Sequence, residues 1–183
     1  MVRDNWGMTT TELPATLPGA FLVRAIAPGD VATLEAFYAT LSPDSREARF
    51  HGATTVGDRA AHSFCAAEHE GRHGVVAEAF DDAGRWVIVG HLCVEPFGDG
   101  TAEIAVAVAD AWQHHGVGRA LFVEAVKWAR RHDVQVLVAS VRWSNAPMVR
   151  LLRSVGRPVS FGPDDAGVVD ARILVAAPLP EAA

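Results

Sequence analysis

The chain has 183 residues, of which 50% are hydrophobic, and its formal net charge is −6 at pH 7. This length suits one domain with a sizeable core, and the negative charge argues against a general nucleic-acid-binding protein, which would usually be basic. No apolar run approaches the length of a membrane span, so we expect neither a nucleic-acid nor a membrane partner.

The cysteines and the chain ends favour a cytoplasmic protein. The two cysteines, Cys65 and Cys93, are too few for a disulfide framework. The first twenty residues lack a basic segment followed by an apolar one, so no secretory signal is evident. We expect residues 1–19, rich in Thr and Pro, to form a flexible tail, residues 20–176 a single domain, and residues 177–183 a second tail.

Apolar periodicity and turn residues predict a fold of the α+β class. The predicted strands, in chain order, lie at 21–26, 75–80, 85–94, 101–109, 134–141, 159–161 and 168–175. Predicted helices lie at 31–41, 43–50, 58–68 and 145–155, and a further amphipathic helix follows Gly116. The order is an antiparallel meander, a strand–helix–strand–helix unit and a hairpin. It predicts a mixed, mostly antiparallel sheet flanked by helices.

The most informative stretch runs from Val106 to Leu121: a short apolar strand, a turn with two glycines and the start of an amphipathic helix. Such a helix start presents unpaired backbone N–H groups and a positive dipole end, which favour a phosphate or pyrophosphate. Gly116 and Gly118 would let a ligand approach the backbone closely. Leu121 stands where the dinucleotide fingerprint needs a third glycine, and no P-loop sequence is present. A glycine-rich helix start that binds nothing is the alternative.

The string Gln113-x-x-Gly116-x-Gly118 resembles the Gln/Arg-x-x-Gly-x-Gly/Ala signature of the GNAT superfamily of N-acetyltransferases. The resemblance covers roughly residues 21–175 and implies the GNAT acyl-CoA N-acyltransferase fold with acetyl-CoA as co-substrate. It implies that the loop holds the pyrophosphate of the coenzyme, and that the backbone of the preceding strand holds the thioester and pantetheine. The residues so implied are Val106, Ala107, Val108, Gln113, His114, His115, Gly116, Val117, Gly118 and Arg119.

Two further segments resemble parts of this superfamily. Residues 41–50 look like the Leu-Ser-Pro-x-Ser-x-x-x-Arg-Phe string of a subgroup that includes bacterial protein lysine acetyltransferases. In GNAT folds this region borders the acceptor site; its alternative is a helical turn with solvated or salt-bridged arginines. Asn145 opens a segment like the family's Asn-x-x-Ala/Met-x-x-Leu-Tyr, where the Asn contacts the coenzyme, but it also suits a helix N-cap. Leu152 replaces the Tyr that serves many relatives as general acid, and the only tyrosine is Tyr38, so the proton donor for the thiolate stays open.

Glu103 is the candidate general base. It is the only charged residue in the strand from Ala102 to Val108, and strand alternation places it on the same face as Ala105 and Ala107. These small neighbours leave room for a ligand or a water chain, and partial burial would suit the carboxylate to act as a base. Glutamate at this position is also the proposed base in related GNAT enzymes. The alternative is a solvated or Arg-paired glutamate at a strand edge.

The residues His69-Glu70-x-x-His73 match the zincin signature. Gly71 weakens the helix that this signature needs, and His73 leads into a predicted strand. We therefore interpret the segment as a polar turn and expect no metal, although a zinc hydrolase remains an alternative function. Both cysteines have apolar neighbours and are expected to be buried packing residues.

The sequence therefore predicts an acetyl-CoA-dependent N-acetyltransferase that moves an acetyl group to a primary amine by direct attack. The amine belongs to a protein lysine, which the Leu-Ser-Pro segment favours, or to a small molecule. A non-catalytic acyl-CoA-binding sensor on the same fold is the main alternative, and the missing Tyr is its only support. Homodimers are common in the superfamily, but the sequence indicates no interface.

Overall fold

The computed structural model describes residues 20–50, 56–66 and 71–175. Seven strands and five α-helices lie in these ranges: β1 (Leu22–Ala25), α1 (Val31–Thr40), α2 (Pro43–Phe50), α3 (Asp58–Cys65), β2 (His73–Phe80), β3 (Trp86–Pro96), β4 (Thr101–Val108), α4 (Val117–Arg131), β5 (Val136–Arg142), α5 (Ala146–Ser154), β6 (Val159–Phe161) and β7 (Val168–Leu174). Both predicted tails, 1–19 and 177–183, lie outside the described residues. None of the described helices is long and apolar enough to cross a membrane.

The elements follow the predicted order, and most differ from prediction by one or two residues at their ends. The largest difference is α3, which ends at Cys65 instead of near residue 68. Ala66, the C-cap residue, leaves helical geometry with φ −89° and ψ 6°, and its N–H donates to the carbonyls of His62 and Phe64.

The strands form one seven-stranded sheet in the order β1-β2-β3-β4-β5-β7-β6. Every neighbouring pair is antiparallel except β4 and β5, which run parallel. The predicted α+β fold with a mixed, mostly antiparallel sheet is therefore confirmed.

Two hydrophobic clusters cover the two faces of the sheet. On one face α4 and α5 contribute Leu121, Phe122 and Leu152 to the larger cluster. On the other face α1 and α3 contribute Leu34, Phe37 and other buried residues to the smaller one. Both faces are buried, so the side chains of β3 pack on helices in both directions and the strand is buried along most of its length.

The parallel contact between β4 and β5 is short, and this decides where the site lies. It joins only three residue pairs, ending at Glu103 and Val138. Beyond that point β4 continues to pair with β3 as far as Val108, and β5 continues to pair with β7 as far as Arg142. The two strands therefore separate, and no ladder joins them over the rest of their described length.

Candidate active site

A cleft of about 1000 Å³ opens where β4 and β5 separate. Its walls are β4 from Glu103 to Val108, the end of β5, the first turns of α4 and α5, and one side of α2. Both its volume and its position between separating strands suit a small-molecule or coenzyme site.

The glycine-bearing turn forms one end of this cleft. Gly116 has φ +84° and is the N-cap residue of α4, with no atom within 4 Å of where a Cβ would lie. The carbonyl of Gly116 accepts the first helical hydrogen bond, from Ala120 at 3.0 Å. The N–H groups of Val117, Gly118 and Arg119 therefore have no partner within the helix, as at any helix start. Together with the helix dipole they favour an anion at this end of the cleft.

The side chains of the turn do not all point into the cleft. Gln113, His114 and Arg119 line it. Val117 is fully buried in the core beneath α4, and His115 places its Nδ1 atom 2.7 Å from the carbonyl oxygen of Gln113. Val117 can therefore reach a ligand in the cleft only through its backbone, while the exposed side chain of His115 does not line the cleft.

Gly118 has a packing role that the sequence did not reveal. A Cβ at this position would lie 3.2 Å from Cδ2 of Leu151, on α5. The absent side chain thus lets α4 and α5 approach each other. Gly118 also lines the cleft, so its missing side chain would in addition let a ligand approach the backbone closely.

A polar network connects the turn to α2. Asp110 accepts hydrogen bonds from the Ser42 hydroxyl at 2.7 Å, the Ser42 N–H at 3.0 Å and the Ser45 hydroxyl at 2.7 Å. The amide of Gln113 donates to Ser45 Oγ at 3.1 Å and to the carbonyl of Val108 at 3.3 Å. The side chain of Gln113 is thus used for internal contacts, and the two serines of the Leu-Ser-Pro segment acquire a structural function.

Asp110 is the residue of this network that the sequence analysis missed. Burial acts to raise the pKa of its carboxyl group, but the hydrogen bonds from Ser42 and Ser45 outweigh that effect and the pKa is lowered. A single Asp after a strand carries no distinctive sequence signal, and its partners lie 65 and 68 residues earlier in the chain.

Glu103 lies in the cleft wall at the last residue pair between β4 and β5. The structure leaves Glu103 exposed and does not provide the partial burial considered from the sequence. The reason is that its side chain projects into the open cleft instead of a packed core. Glu95 lies directly opposite on β3 and forms an ion pair with Arg72 at 3.1 Å.

A buried cluster lies beside this wall on the same face of the sheet. His91 is fully buried, and burial together with the nearby Arg49 charge lowers its pKa to about 3. Its Nδ1 atom lies 2.8 Å from the hydroxyl of Tyr38, which is itself 2% exposed. Tyr38 does not line the cleft, so it does not replace the missing tyrosine at residue 152.

The two cysteines are buried, as the sequence predicted. Burial raises the pKa of both thiols, to about 11 for Cys65. Neither thiol is therefore activated as a nucleophile at neutral pH.

Asn145 caps α5, because its side-chain oxygen accepts the N–H of Met148 at 3.1 Å. The predicted N-cap role is thus confirmed. Asn145 also lines the cleft, which leaves its second predicted role, contact with the coenzyme, as a proposal.

The described residues contain no cluster of three or more His, Cys, Asp or Glu side chains that could hold a metal ion. His69 and Glu70 of the zincin-like string lie outside the described residues. His73 is the first residue of β2, as expected for a segment that enters a strand, and its ring stacks on Trp128 with 5.5 Å between ring centroids. This position gives no support to a zinc site.

The family described as "Acetyltransferase (GNAT) family" matches residues 34–156. No curated protein sequence matches the chain significantly.

Several solved structures share the fold. The GNAT domain of S. lividans PAT superposes with a TM-score of 0.72 at 25% identity, over 83% of this chain and 89% of that one. A putative acetyltransferase, yncA, from Salmonella typhimurium was solved with its cofactor acetyl-CoA. It superposes with a TM-score of 0.66 at 24% identity, over 87% of this chain and 98% of that one. A ribosomal-protein-alanine N-acetyltransferase from Brucella melitensis superposes with a TM-score of 0.65 at 24% identity, over 84% of this chain and 99% of that one.

Proposed function

Because the chain belongs to the acetyltransferase (GNAT) family, we propose that it is an acetyl-CoA-dependent N-acetyltransferase that acts on a primary amine. The observation that carries this proposal is the separation of β4 from β5 directly beside the α4 N-terminus. One cleft thereby offers an extended backbone edge and a cluster of N–H groups. These are the two features that a long thioester carrier with a pyrophosphate requires.

The residues of the cleft fit the coenzyme. We assign the pyrophosphate to the backbone N–H groups from Val117 to Arg119 and to the Arg119 guanidinium, with His114 beside them. We assign the pantetheine arm to the edge of β4 from Val106 to Val108, which no longer pairs with β5. Asn145 would contact the coenzyme from α5, while Gln113 would hold the loop in position through its hydrogen bonds to Ser45 and Val108.

Glu103 is the proposed general base. An alkylamine with a pKa near 10.4 is only about four parts in ten thousand neutral at pH 7, so removal of a proton is part of the reaction. The exposed carboxylate of Glu103 lies in the cleft wall and can accept that proton directly or through water. Bound acetyl-CoA supplies the acetyl thioester and a thiolate, which is a fair leaving group without a general acid.

The Leu-Ser-Pro segment does not by itself identify a protein lysine as the acceptor. Its serines hold Asp110 and hence the loop before α4, a role that does not depend on the acceptor. We therefore propose a primary amine, of a small molecule or of a protein lysine.

Calorimetric titration with acetyl-CoA tests the coenzyme site. Gly116→Glu places bulk and negative charge at the α4 N-terminus, while Gly116→Ala is its matched control because it carries the same backbone strain at φ +84° without the charge. We expect micromolar binding by the unmodified protein, retention in the alanine variant and loss in the glutamate variant. Absence of binding by the unmodified protein would refute the proposal.

Turnover with a panel of amines tests the base. We expect Glu103→Gln to reduce kcat/KM by about 10²- to 10⁴-fold with no change in acetyl-CoA affinity. An unchanged kcat/KM would remove Glu103 from the mechanism.

A further inference from the structure

We propose that the acceptor is a small amino acid, whose carboxylate binds Arg49 and whose amine reacts beside Glu103. This inference rests on the proposed acetyl transfer and adds the chemical class of the acceptor.

Arg49 is a cationic residue of the cleft wall. It lies on α2, is partly buried and lines the cleft. Its Nη2 lies 3.3 Å from the sulfur of Cys93, and its guanidinium lies 4.7 Å from the ring centroid of Phe50 and 6.0 Å from that of Phe64. Its Nε is buried without a hydrogen-bond partner, and Arg49 forms no ion pair with any carboxylate of the described residues.

No carboxylate of the described residues forms an ion pair that would compensate the charge of Arg49. A guanidinium stays charged at any physiological pH, and a partly buried charge is destabilising unless an anion compensates it. The acceptors near the guanidinium are the Cys93 sulfur, which is a weak acceptor, and the Tyr38 hydroxyl, and neither of them is an anion. A carboxylate entering the cleft could accept two of these hydrogen bonds in the planar geometry that guanidinium groups favour.

The cleft is also lined by Arg119, Arg142 and Arg150, which differ from Arg49 in pairing, exposure or place in the fold. Arg142 forms an ion pair with Glu47 at 3.1 Å. Arg119 lies in the first turn of α4 and Arg150 on α5, and both are exposed. Of these four, Arg49 is the one that lies on α2, against the same face of the sheet as Glu103.

Strand register places Arg49 close to Glu103. Arg49 contacts Cys93, which lies directly opposite Ala105 in the β3–β4 ladder. Glu103 is two residues before Ala105 and is therefore a diagonal cross-strand neighbour of Cys93, with Cα atoms about 7–8 Å apart in such a pair. A positive and a negative group thus lie on the same wall of the cleft, and a small zwitterion could bridge them with its carboxylate on Arg49 and its amine at Glu103.

The charges of this wall disfavour two other acceptors. A polyamine would place a second cation near Arg49 and be repelled. A protein lysine brings one amine and no carboxylate of its own, so it would leave Arg49 uncompensated.

The test compares α-, β- and γ-amino acids with their carboxamides and with a lysine-containing peptide, as kcat/KM per concentration of free amine. Each carboxamide keeps the amine and loses only the negative charge. We expect at least one amino acid to exceed its carboxamide by about 10- to 100-fold and to exceed the peptide. Equal rates within every pair, or a peptide that exceeds every amino acid, would overturn the inference.

Variants connect that preference to Arg49. We expect Arg49→Gln to bring the ratio of amino acid to carboxamide close to one, mainly through KM, and Arg49→Lys to retain part of it. Arg46→Gln, the same change on α2 at a residue outside the cleft wall, should keep the full ratio. A ratio that survives in Arg49→Gln would overturn the inference.

Acetyl-CoA titration separates this failure from failure of the proposed function. Binding of acetyl-CoA with turnover of amines but no carboxylate preference would refute only the acceptor class. Absence of acetyl-CoA binding would refute both.

Discussion

Replacing Asp110 by Ala should loosen the connection between α2 and the loop before α4. The variant removes the acceptor of three hydrogen bonds, two from Ser42 and one from Ser45, with lengths of 2.7–3.0 Å. Hydrogen bonds to a charged acceptor contribute about 1.5–3 kcal/mol each when buried, and exposure of this cluster reduces that to roughly 0.5–1 kcal/mol each. The expected loss in the free energy of unfolding is therefore about 2 kcal/mol, or ~4–8 °C in Tm for a chain of this length.

Urea denaturation measures this loss, and a double-mutant cycle with Ser45→Ala determines how much of it comes from the hydrogen bond between Ser45 and Asp110. If the hydroxyl of Ser45 acts through Asp110, the two changes should be coupled by about 0.5–1 kcal/mol. Asp44→Ala is the matched control, because Asp44 is an exposed carboxylate on α2, the helix that carries Ser45. Its replacement should change the free energy of unfolding by less than about 0.5 kcal/mol. A loss below 0.5 kcal/mol for Asp110→Ala, or strict additivity with Ser45→Ala, would show that the network does not hold α2.

Two further predictions concern the core beneath the site. Gly90→Ala should reduce the free energy of unfolding by about 1–3 kcal/mol, because the new Cβ would lie 2.8 Å from Val117 Cγ1 and 3.0 Å from Leu121 Cδ1; a change below 0.5 kcal/mol in urea denaturation would contradict this packing. His91 should make the protein less stable in acid: its pKa is lowered from 6.5 to about 3 in the folded state, so the unfolded chain binds an extra proton between these values and stability falls as pH decreases below about 6.5. Urea denaturation at pH 7, 6 and 5 measures how the free energy of unfolding decreases with decreasing pH. We expect His91→Gln to reduce this slope by up to about 1.4 kcal/mol per pH unit. An unchanged slope would show that another group causes the loss of stability in acid.

The sequence by itself determined the order and type of the elements, because period-2 and period-3.6 apolar patterns depend only on local geometry. It also identified the turn from Gln113 to Arg119, where glycine is needed at a positive φ and a helix begins. The N-cap role of Asn145 and the burial of both cysteines followed from local sequence in the same way.

Only the tertiary structure decided which side chains share the cleft. Ser42 and Asp110 are 68 residues apart, and Arg49 reaches Cys93 across 44 residues. No periodicity encodes such contacts, because they depend on how α2 packs against the sheet. The exposure of Glu103 has the same origin: strand alternation gave its face, but only the separation of β4 from β5 shows that this face opens into a cleft and is not covered by a core.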